Sequence, residues 1–285
     1  MIPRAHITAW RAKAPWSTDA QVEQDLVLTR ALVEIYSDPS LAQGLAFRGG
    51  TALHKLYLDP PARYSEDLDL VQAEPGQIGP LLDALHRRLD PWLGKPQWKQ
   101  GQGTATLVYR FESEIAPVTP LRLKVEINTR EHLTVLGYRS FRVRVENPWF
   151  AGASDVKTFA PEELLATKLR ALYQRKKGRD LFDLAVAMTE LSQLDVPKLV
   201  ECFEAYLAHS GTRISRAEFE ANLAEKITDP AFTRDVTPLL STAGGRAPGF
   251  FKAETALEEV KGKLIALLPG ELWKSAEGDR QVKRR

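Results

Sequence analysis

Apolar residues recur with two different periods along this chain, one typical of helices and one typical of strands. Between residues 18 and 36 they recur at helical spacing, and the run ends before Pro39. Residues 45–47, the pair Gly49-Gly50 and residues 51–58 predict a strand, a glycine turn and a short helix. The pattern then predicts a strand at 67–71, a helix at 78–89, and strands at 104–111, 121–128 and 141–145. A mixed sheet with helices is therefore expected in this part of the chain.

Near Asn147-Pro148 the alternation stops, and helical spacing continues to the end of the sequence. Pro161 with Glu162 and Glu163 suits the first turn of a helix. Helices are predicted at 161–175, 180–191, 197–209, 215–227, 230–240 and 253–267, with a loop at 241–249 and a basic tail at 280–285. We therefore predict an α+β protein with two domains, a mixed-sheet domain at 1–148 and an all-helical domain at 149–285.

Composition narrows the class of protein. The 285 residues are 44% hydrophobic, which is enough for sizeable cores. The net charge is only +2, so contact with nucleic acid would need local clusters of basic residues. The single cysteine excludes an internal disulfide and a cysteine zinc site. No apolar run resembles a signal peptide or a membrane span, so we expect a cytoplasmic protein that does not contact membranes.

Two carboxylates alternate with leucines in the predicted strand at 67–71. This alternation puts Asp67 and Asp69 on one face, about 7 Å apart. A divalent ion such as Mg²⁺ relieves the repulsion between two such charges. The alternative is a solvated strand face. Glu126 lies on the polar side of the strand at 121–128, together with Arg122 and Lys124, and could join the two aspartates.

A glycine pair before a helix lets backbone N–H groups approach a phosphate, with help from the helix dipole. Gly49-Gly50 meets this description, although most glycine pairs are simple turns. The sequence contains neither a Walker A motif nor a dinucleotide-binding fingerprint.

A cationic row follows in the helical part. Lys168 and Arg175 can share a helix face, while leucines hold the other side of that helix. Their charges suit a triphosphate, whereas the alternative is a solvated face. Asp180 and Asp183 follow closely and could pair with Arg175 or Arg179, either to orient them or as purely structural ion pairs.

These segments together resemble a known family, the AbiEii/MenT nucleotidyltransferase-like toxins of bacterial type IV toxin–antitoxin systems. The resemblance covers about residues 25 to 190 and rests on three motifs in the right order. The first motif is Phe47-Arg48-Gly49-Gly50-Thr51-Ala52-Leu53, and the second is Arg63-Tyr64-Ser65-Glu66-Asp67-Leu68-Asp69-Leu70. The third combines Lys168-Leu169-Arg170-Ala171-Leu172 with Arg179-Asp180-Leu181-Phe182-Asp183-Leu184.

The resemblance implies a polymerase-β-like nucleotidyltransferase fold. It implies that Asp67 and Asp69 hold Mg²⁺ or Mn²⁺, with Glu126 as a further member, and that Lys168 and Asp183 are essential. A nucleoside triphosphate would be bound by the residues of the glycine turn and the cationic row, namely Gly49, Gly50, Thr51, Lys168 and Arg175. Ser65 matches a serine that is phosphorylated in some relatives.

The implied reaction transfers nucleotides from NTP to the 3′ end of tRNA, which blocks aminoacylation and translation. The implied partners are the tRNA acceptor end and a cognate antitoxin, and we expect a monomer. Backbone contacts to RNA are expected from Lys176, Lys177, Arg179 and the tail at 283–285. Alternatives are transfer to a protein or small molecule, kinase-like phosphotransfer, and a non-catalytic binding role.

Substitutions of partly exposed polar residues usually cost little stability. We therefore expect Asp67→Ala, Asp69→Ala and Lys168→Ala each to abolish transfer while the fold stays stable.

Overall fold

A computed structural model of the protein describes residues 2–240 and 251–273. The described chain forms two compact units, residues 2–160 with 239–240, and residues 161–238 with 251–273. The long first segment of the first unit ends at Ala160, whereas the predicted boundary after residue 148 falls inside a β-hairpin. The predicted loop at 241–249 and the predicted basic tail at 280–285 lie outside the described residues.

The first unit contains five helices and seven strands in its described residues. The helices are α1 Arg4–Trp10, α2 Asp19–Tyr36, α3 Pro39–Gly44, α4 Gly49–Leu56 and α5 Gly79–Leu93. The strands are β1 Leu45–Arg48, β2 Asp67–Gln72, β3 Gln97–Gly101, β4 Thr104–Glu112, β5 Pro120–Asn128, β6 Tyr138–Asn147 and β7 Phe150–Phe159.

The seven strands form one mixed sheet in the order β3-β4-β5-β2-β1-β7-β6. β2 runs parallel to β5 and β1 runs parallel to β7, while the other neighbours are antiparallel. β2 therefore lies between β5 and β1. Helix α2 packs against β5 and β7 and also contacts β2, and α5 packs against α2 and β4. Leu68 and Leu70 are buried, whereas Asp67 and Asp69 remain half-buried.

Side chains at the helix ends explain where the long helices begin. The Thr18 hydroxyl accepts a hydrogen bond from the backbone N–H of Gln21, and the Gln21 side-chain oxygen accepts one from the backbone N–H of Thr18, so a capping box starts α2. The Asp38 side chain caps α3 by accepting hydrogen bonds from the backbone N–H groups of Ser40 and Leu41, just before Pro39 at the first helical position. These local signals explain why the predicted start of α2 lies within one residue of the observed one.

Four elements of the first unit were not predicted, namely α1, α3, β3 and β7. β3 is exposed along its whole length, and its residues show no apolar alternation. It is held in the sheet by its pairing with β4. After Phe150, β7 continues with the small residues Ala151 to Ser154, and it pairs with β6 along its whole length. Both strands therefore depend on contacts with a neighbour and not on their own pattern.

The second unit is helical throughout its described residues. Its helices are α6 Pro161–Gln174, α7 Gly178–Glu190, α8 Val196–His209, α9 Arg216–Lys226, α10 Pro230–Thr233 and α11 Ala253–Lys263, with short 3₁₀ turns at Thr237–Leu239 and Ile265–Leu267. The single helix predicted at 230–240 is wrong, because Pro238 lacks an N–H and the segment breaks into α10 and a 3₁₀ turn. None of the described helices is long and apolar enough to span a bilayer.

Candidate active site

The glycine pair opens helix α4 and lies against the aspartates. Gly49 has φ of +84°, a conformation that side chains disfavour. A Cβ atom on Gly49 would lie 2.2 Å from Asp69 Oδ2, and one on Gly50 would lie 2.5 Å from Arg63 Nη2. Gly49 therefore requires glycine, because its backbone conformation and the Asp69 carboxylate leave no room for a side chain, whereas a side chain at Gly50 would displace the Arg63 guanidinium.

Two hydroxyl groups connect the start of α4 to the chain entering β2. The Thr51 hydroxyl donates to the backbone oxygen of Asp67 at 2.6 Å, and it lies 2.7 Å from the Ser65 hydroxyl. The two motifs are thus joined directly, although the chain makes a long excursion between Gly50 and Asp67.

The carboxylates lie on the polar face of the sheet, as their alternation predicted. In the parallel pairing of β2 and β5, Asp69 lies opposite Glu126 and Asp67 lies opposite Lys124. Asp67, Asp69 and Glu126 therefore come together on one face, next to Gly49.

Lys124 provides the positive charge among these acids. Its Nζ atom lies 2.8 Å from Glu126 Oε2 and 3.8 Å from Asp67 Oδ2. Burial tends to lower the pKa of Lys124, but the hydrogen bond to Glu126 and the charges of Asp67, Glu126 and Asp69 outweigh burial and raise it. Lys124 therefore stays protonated. The alternation of β5 placed Lys124 on this side, but sequence reasoning gave it no role.

Asp67 has the most perturbed acidity at the site. Burial raises its pKa to about 6, and the negative charges of Asp69 and Glu66 add to this, while Lys124 and Arg122 act in the opposite direction. Its Oδ1 atom is buried and accepts no hydrogen bond from the described residues. A buried carboxylate oxygen without a donor is costly, and a cation would satisfy it.

Metal binding would need ligands beyond the protein. Nowhere in residues 2–240 and 251–273 do three His, Cys, Asp or Glu side chains lie close enough to hold an ion together. Glu126 is engaged by Lys124. Asp67 and Asp69 therefore fit an ion that takes its remaining ligands from water and from nucleotide phosphates, as Mg²⁺ commonly does.

Two arginines at the glycine turn were not assigned a role from the sequence. Arg48 pairs with Glu131 at 2.9 Å and lies opposite Asp69 in the antiparallel pairing of β1 and β2. The loop that carries Glu131 is held by Asn128, whose side chain accepts the backbone N–H of Glu131 at 2.9 Å. Arg63 is 2% exposed and donates to the backbone oxygen of Tyr64. The only sequence signal for Arg48 and Arg63 was that both lie within the motifs that carry the family resemblance.

The predicted residues of the second unit gather around two buried aspartates. Lys168 Nζ lies 3.0 Å from Asp183 Oδ2 and 3.3 Å from Asp180 Oδ1, and both aspartates are fully buried. Arg175 donates to Asp180 through two nitrogens, at 2.7 and 2.8 Å. Arg175 is half exposed, but Lys168 is only 6% exposed. The premise that Lys168 is partly exposed is wrong, because α6 and α7 enclose it.

The basic residues after α6 are paired with acids of the same unit. Lys176 lies 2.7 Å from Asp229, and Arg179 donates to Asp235, not to Asp180 or Asp183. Lys177 lies 3.9 Å from Asp235. Their positive charge is therefore partly neutralised. The predicted RNA contacts at 283–285 lie outside the described residues.

The fold is that of a nucleotidyltransferase, with a mixed sheet followed by helices. The chain is similar in structure to MenT4, a nucleotidyltransferase toxin from Mycobacterium tuberculosis, with a TM-score of 0.59 and 17% identity over 98% of this chain and 93% of that one. It is also similar to a proposed nucleotidyltransferase from H. pylori, with a TM-score of 0.52 and 17% identity over 94% of this chain and 99% of that one.

The family follows from the sequence of the chain. Residues 30–253 match the model of the nucleotidyl transferase AbiEii toxin of type IV toxin–antitoxin systems, and the chain belongs to this family. The resemblance drawn from the three motifs is thereby confirmed. No curated protein matches the chain. The protein is a nucleotidyltransferase toxin, and membership of a toxin–antitoxin system implies a cognate antitoxin.

Proposed function

We propose that this toxin transfers nucleotides from NTP to the 3′ end of tRNA in the cytoplasm, and that it acts as a monomer. The extended acceptor end would then be unable to receive an amino acid, and translation would stop. The observation that supports transfer most directly is the backbone of Gly49 against Asp69, beside a buried Asp67 oxygen that no described residue donates to.

Asp67 and Asp69 would hold the divalent ion, Mg²⁺ or Mn²⁺, with Glu126 as a third acid of the same face. When bound, the ion would neutralise phosphate charge and lower the pKa of the attacking hydroxyl group. The buried oxygen of Asp67 and the paired carboxylates supply the hard oxygen ligands that such an ion prefers.

The glycine turn would hold the triphosphate. Backbone N–H groups of Gly49, Gly50 and Thr51 lie at the positive end of α4, which favours anions. Arg48, held by Glu131, adds a fixed positive charge beside this turn. These groups act by positioning and charge neutralisation, which dominate phosphoryl and nucleotidyl transfer.

In the reaction, the 3′-hydroxyl oxygen of the RNA forms a bond with the α-phosphorus of the NTP. The bond between the α-phosphorus and the bridging oxygen breaks, and pyrophosphate leaves. The hydroxyl proton passes to a carboxylate of the polar face, for which we propose Glu126. Lys124 lies 2.8 Å from Glu126 and keeps this carboxylate in place.

The cluster in the second unit would supply a cation for a phosphate. Lys168 and Asp183, with Asp180, form a buried network of charges, and Arg175 lies at its exposed end. We propose that Lys168 and Asp183 are essential because they hold this network together. Arg175, with one face in solvent, is the member best placed to meet a nucleotide phosphate.

Ser65 would be a site of regulation. Its hydroxyl lies beside the Thr51 hydroxyl, and its Oγ atom is 3.4 Å from where a Gly50 Cβ would be. A phosphate on Ser65 would therefore occupy the anion-binding turn itself. We propose that phosphorylation here would exclude the triphosphate.

Incubation of the protein with each α-labelled NTP and purified tRNA, followed by 3′-end sequencing, tests the proposal. We expect label on the tRNA 3′ end, and none with Asp67→Asn or Asp69→Asn. Label on protein or on a small molecule would show a different acceptor. Transfer of a γ-label would show a kinase-like reaction. Toxicity that survives Asp67→Ala would show a non-catalytic role.

A further inference from the structure

Two arginines face each other across neighbouring strands of the sheet. Arg110 of β4 lies directly opposite Arg122 of β5 in the antiparallel pairing, and both are exposed. Like charges at directly opposed positions destabilise a sheet. Arg122 reaches Glu66 at 3.4 Å, whereas among the described residues Arg110 reaches only the neutral Gln97, at 3.3 Å. The pair is therefore poorly compensated, and an anion bound between the two side chains would relieve the repulsion.

This arginine pair lies on the same face as the carboxylates. Lys124, which contacts Asp67 and Glu126, follows Arg122 by two residues in β5, and side chains two apart share a face. The spacing between them along the strand is about 7 Å. The arginine pair is thus the next group on the polar face beyond the row that contains Asp67.

The order of the strands separates the arginine pair from the glycine turn. β2, with Asp67 and Asp69, has β1 and the glycine turn on one side and β5 and β4 on the other. A triphosphate at the glycine turn therefore approaches the carboxylates from the β1 side. The acceptor has to approach the α-phosphate from another direction, and the arginine pair lies on the opposite flank.

We propose that Arg110 and Arg122 together bind a backbone phosphate of the acceptor RNA strand, so that its 3′ end lies at the carboxylates. This proposal rests on the proposed function. Guanidinium groups donate several hydrogen bonds in a plane and match phosphate oxygens better than lysine does. Phosphate contacts of this kind position a strand without reading its sequence.

Lys99 continues the same surface toward the edge of the sheet. In the pairing of β3 with β4 and of β4 with β5, Lys99 lies in one row with Thr106 and Glu126, and it is exposed. By strand spacing it lies about 14 Å from Asp69. It is therefore available to a phosphate further from the reacting 3′ end.

The double variant Arg110→Gln with Arg122→Gln tests the proposal in steady-state transfer from NTP to tRNA. We expect the KM for tRNA to rise by about tenfold, since two charge-assisted contacts are lost, while the KM for NTP stays unchanged. The dependence of RNA affinity on salt should weaken, with the slope falling by about 0.7 for the loss of one phosphate contact on a single strand. The matched control is Arg142→Gln with Arg144→Gln, two exposed arginines of β6 at the other edge of the sheet, which should change neither value.

Binding of a fluorescent single-stranded RNA, measured by anisotropy without NTP, separates this proposal from the proposed function. If wild-type protein labels no RNA in the transfer assay, the proposed function fails. If it labels tRNA but the Arg110 and Arg122 variant keeps the wild-type KM, RNA affinity and salt slope, the arginine proposal alone is overturned. A rise in the KM for NTP instead would assign the pair to the triphosphate and would also overturn it.

Thermal unfolding at low salt gives a readout that does not depend on RNA. Removal of one charge from an opposed pair should leave the Tm unchanged or raise it. We expect this for Arg110→Gln alone. A lower Tm would show that the arginines stabilise the sheet, which would contradict the reason for assigning them to a ligand.

Discussion

Lys168 connects the two buried aspartates of the helical unit, and its removal should destabilise the protein. Lys168→Met keeps most of the volume and the apolar stem of the side chain but removes the ammonium group. Asp180 and Asp183, both fully buried, would each lose a partner at 3.3 and 3.0 Å respectively. The substitution therefore tests the charge and not the packing.

The size of the effect follows from the burial of the network. Loss of one partner from a buried ion pair costs roughly 3–5 kcal/mol, because a charge remains in a poorly solvated place. Asp180 keeps its two hydrogen bonds from Arg175, so we expect a loss near the lower end, about 3 kcal/mol. With an m value of about 2 kcal/mol per M, the urea midpoint would fall by about 1.5 M.

Urea unfolding followed by far-ultraviolet circular dichroism is the appropriate assay, since the second unit is helical in its described residues. Tryptophan fluorescence mainly reports on the first unit, which holds five of the six tryptophans. Lys198→Ala is the matched control, because Lys198 pairs with Asp195 at the surface of the same unit. Such exposed pairs contribute roughly 0–1 kcal/mol.

The double variant Lys168→Met with Asp183→Asn should recover part of the lost stability, because it removes a negative charge together with the positive one. An unchanged midpoint for Lys168→Met, combined with loss of transfer, would refute the reasoning. Lys168 would then act on the nucleotide without any structural part.

Three further predictions concern the first unit. Because the charge of Lys124 lowers the pKa of Asp67, Lys124→Met should move the acidic limb of the pH–rate profile to higher pH. An unmoved limb would show that Lys124 does not influence this titration. Since folding raises the pKa of Asp67 from about 4 to about 6, its ionisation opposes folding as pH rises through this window. Without added metal, Asp67→Asn should therefore have a higher Tm than wild type at about pH 8, and a difference that fails to shrink toward about pH 4 would exclude this origin. Gly49→Ala should abolish transfer, because its Cβ would lie 2.2 Å from Asp69 Oδ2. Gly94→Ala carries similar strain, with φ of +78° and no atom within 4 Å of its Cβ, and should keep transfer; equal loss in both variants would attribute the effect to strain alone.

The strands with a clear alternation were predictable in position and in the direction of their side chains. In β2 and β5, acidic or basic residues alternate with aliphatic ones. The sequence therefore placed Asp67 and Asp69 on one face of β2, and Glu126 and Lys124 on one face of β5. β3 and β7 lack this alternation and were not predicted. Because β7 was not predicted, the domain boundary was placed after residue 148, within the β6–β7 hairpin. Such strands arise from backbone pairing with neighbours, which leaves little trace in their own residues.

The sequence by itself determined the membership of the family, the glycine turn and the acids of the polar face, because each of these depends on residues close together in the chain. Only the tertiary structure decided which distant residues meet. The parallel register of β2 with β5 brings Lys124 to Asp67, and the β4–β5 register opposes Arg110 and Arg122. The packing of α6 with α7 buries Lys168 between two aspartates, where its periodic position suggested an exposed cation. A local pattern specifies which face of a strand is buried, but the partner residue on a distant strand or helix is set by contacts between segments.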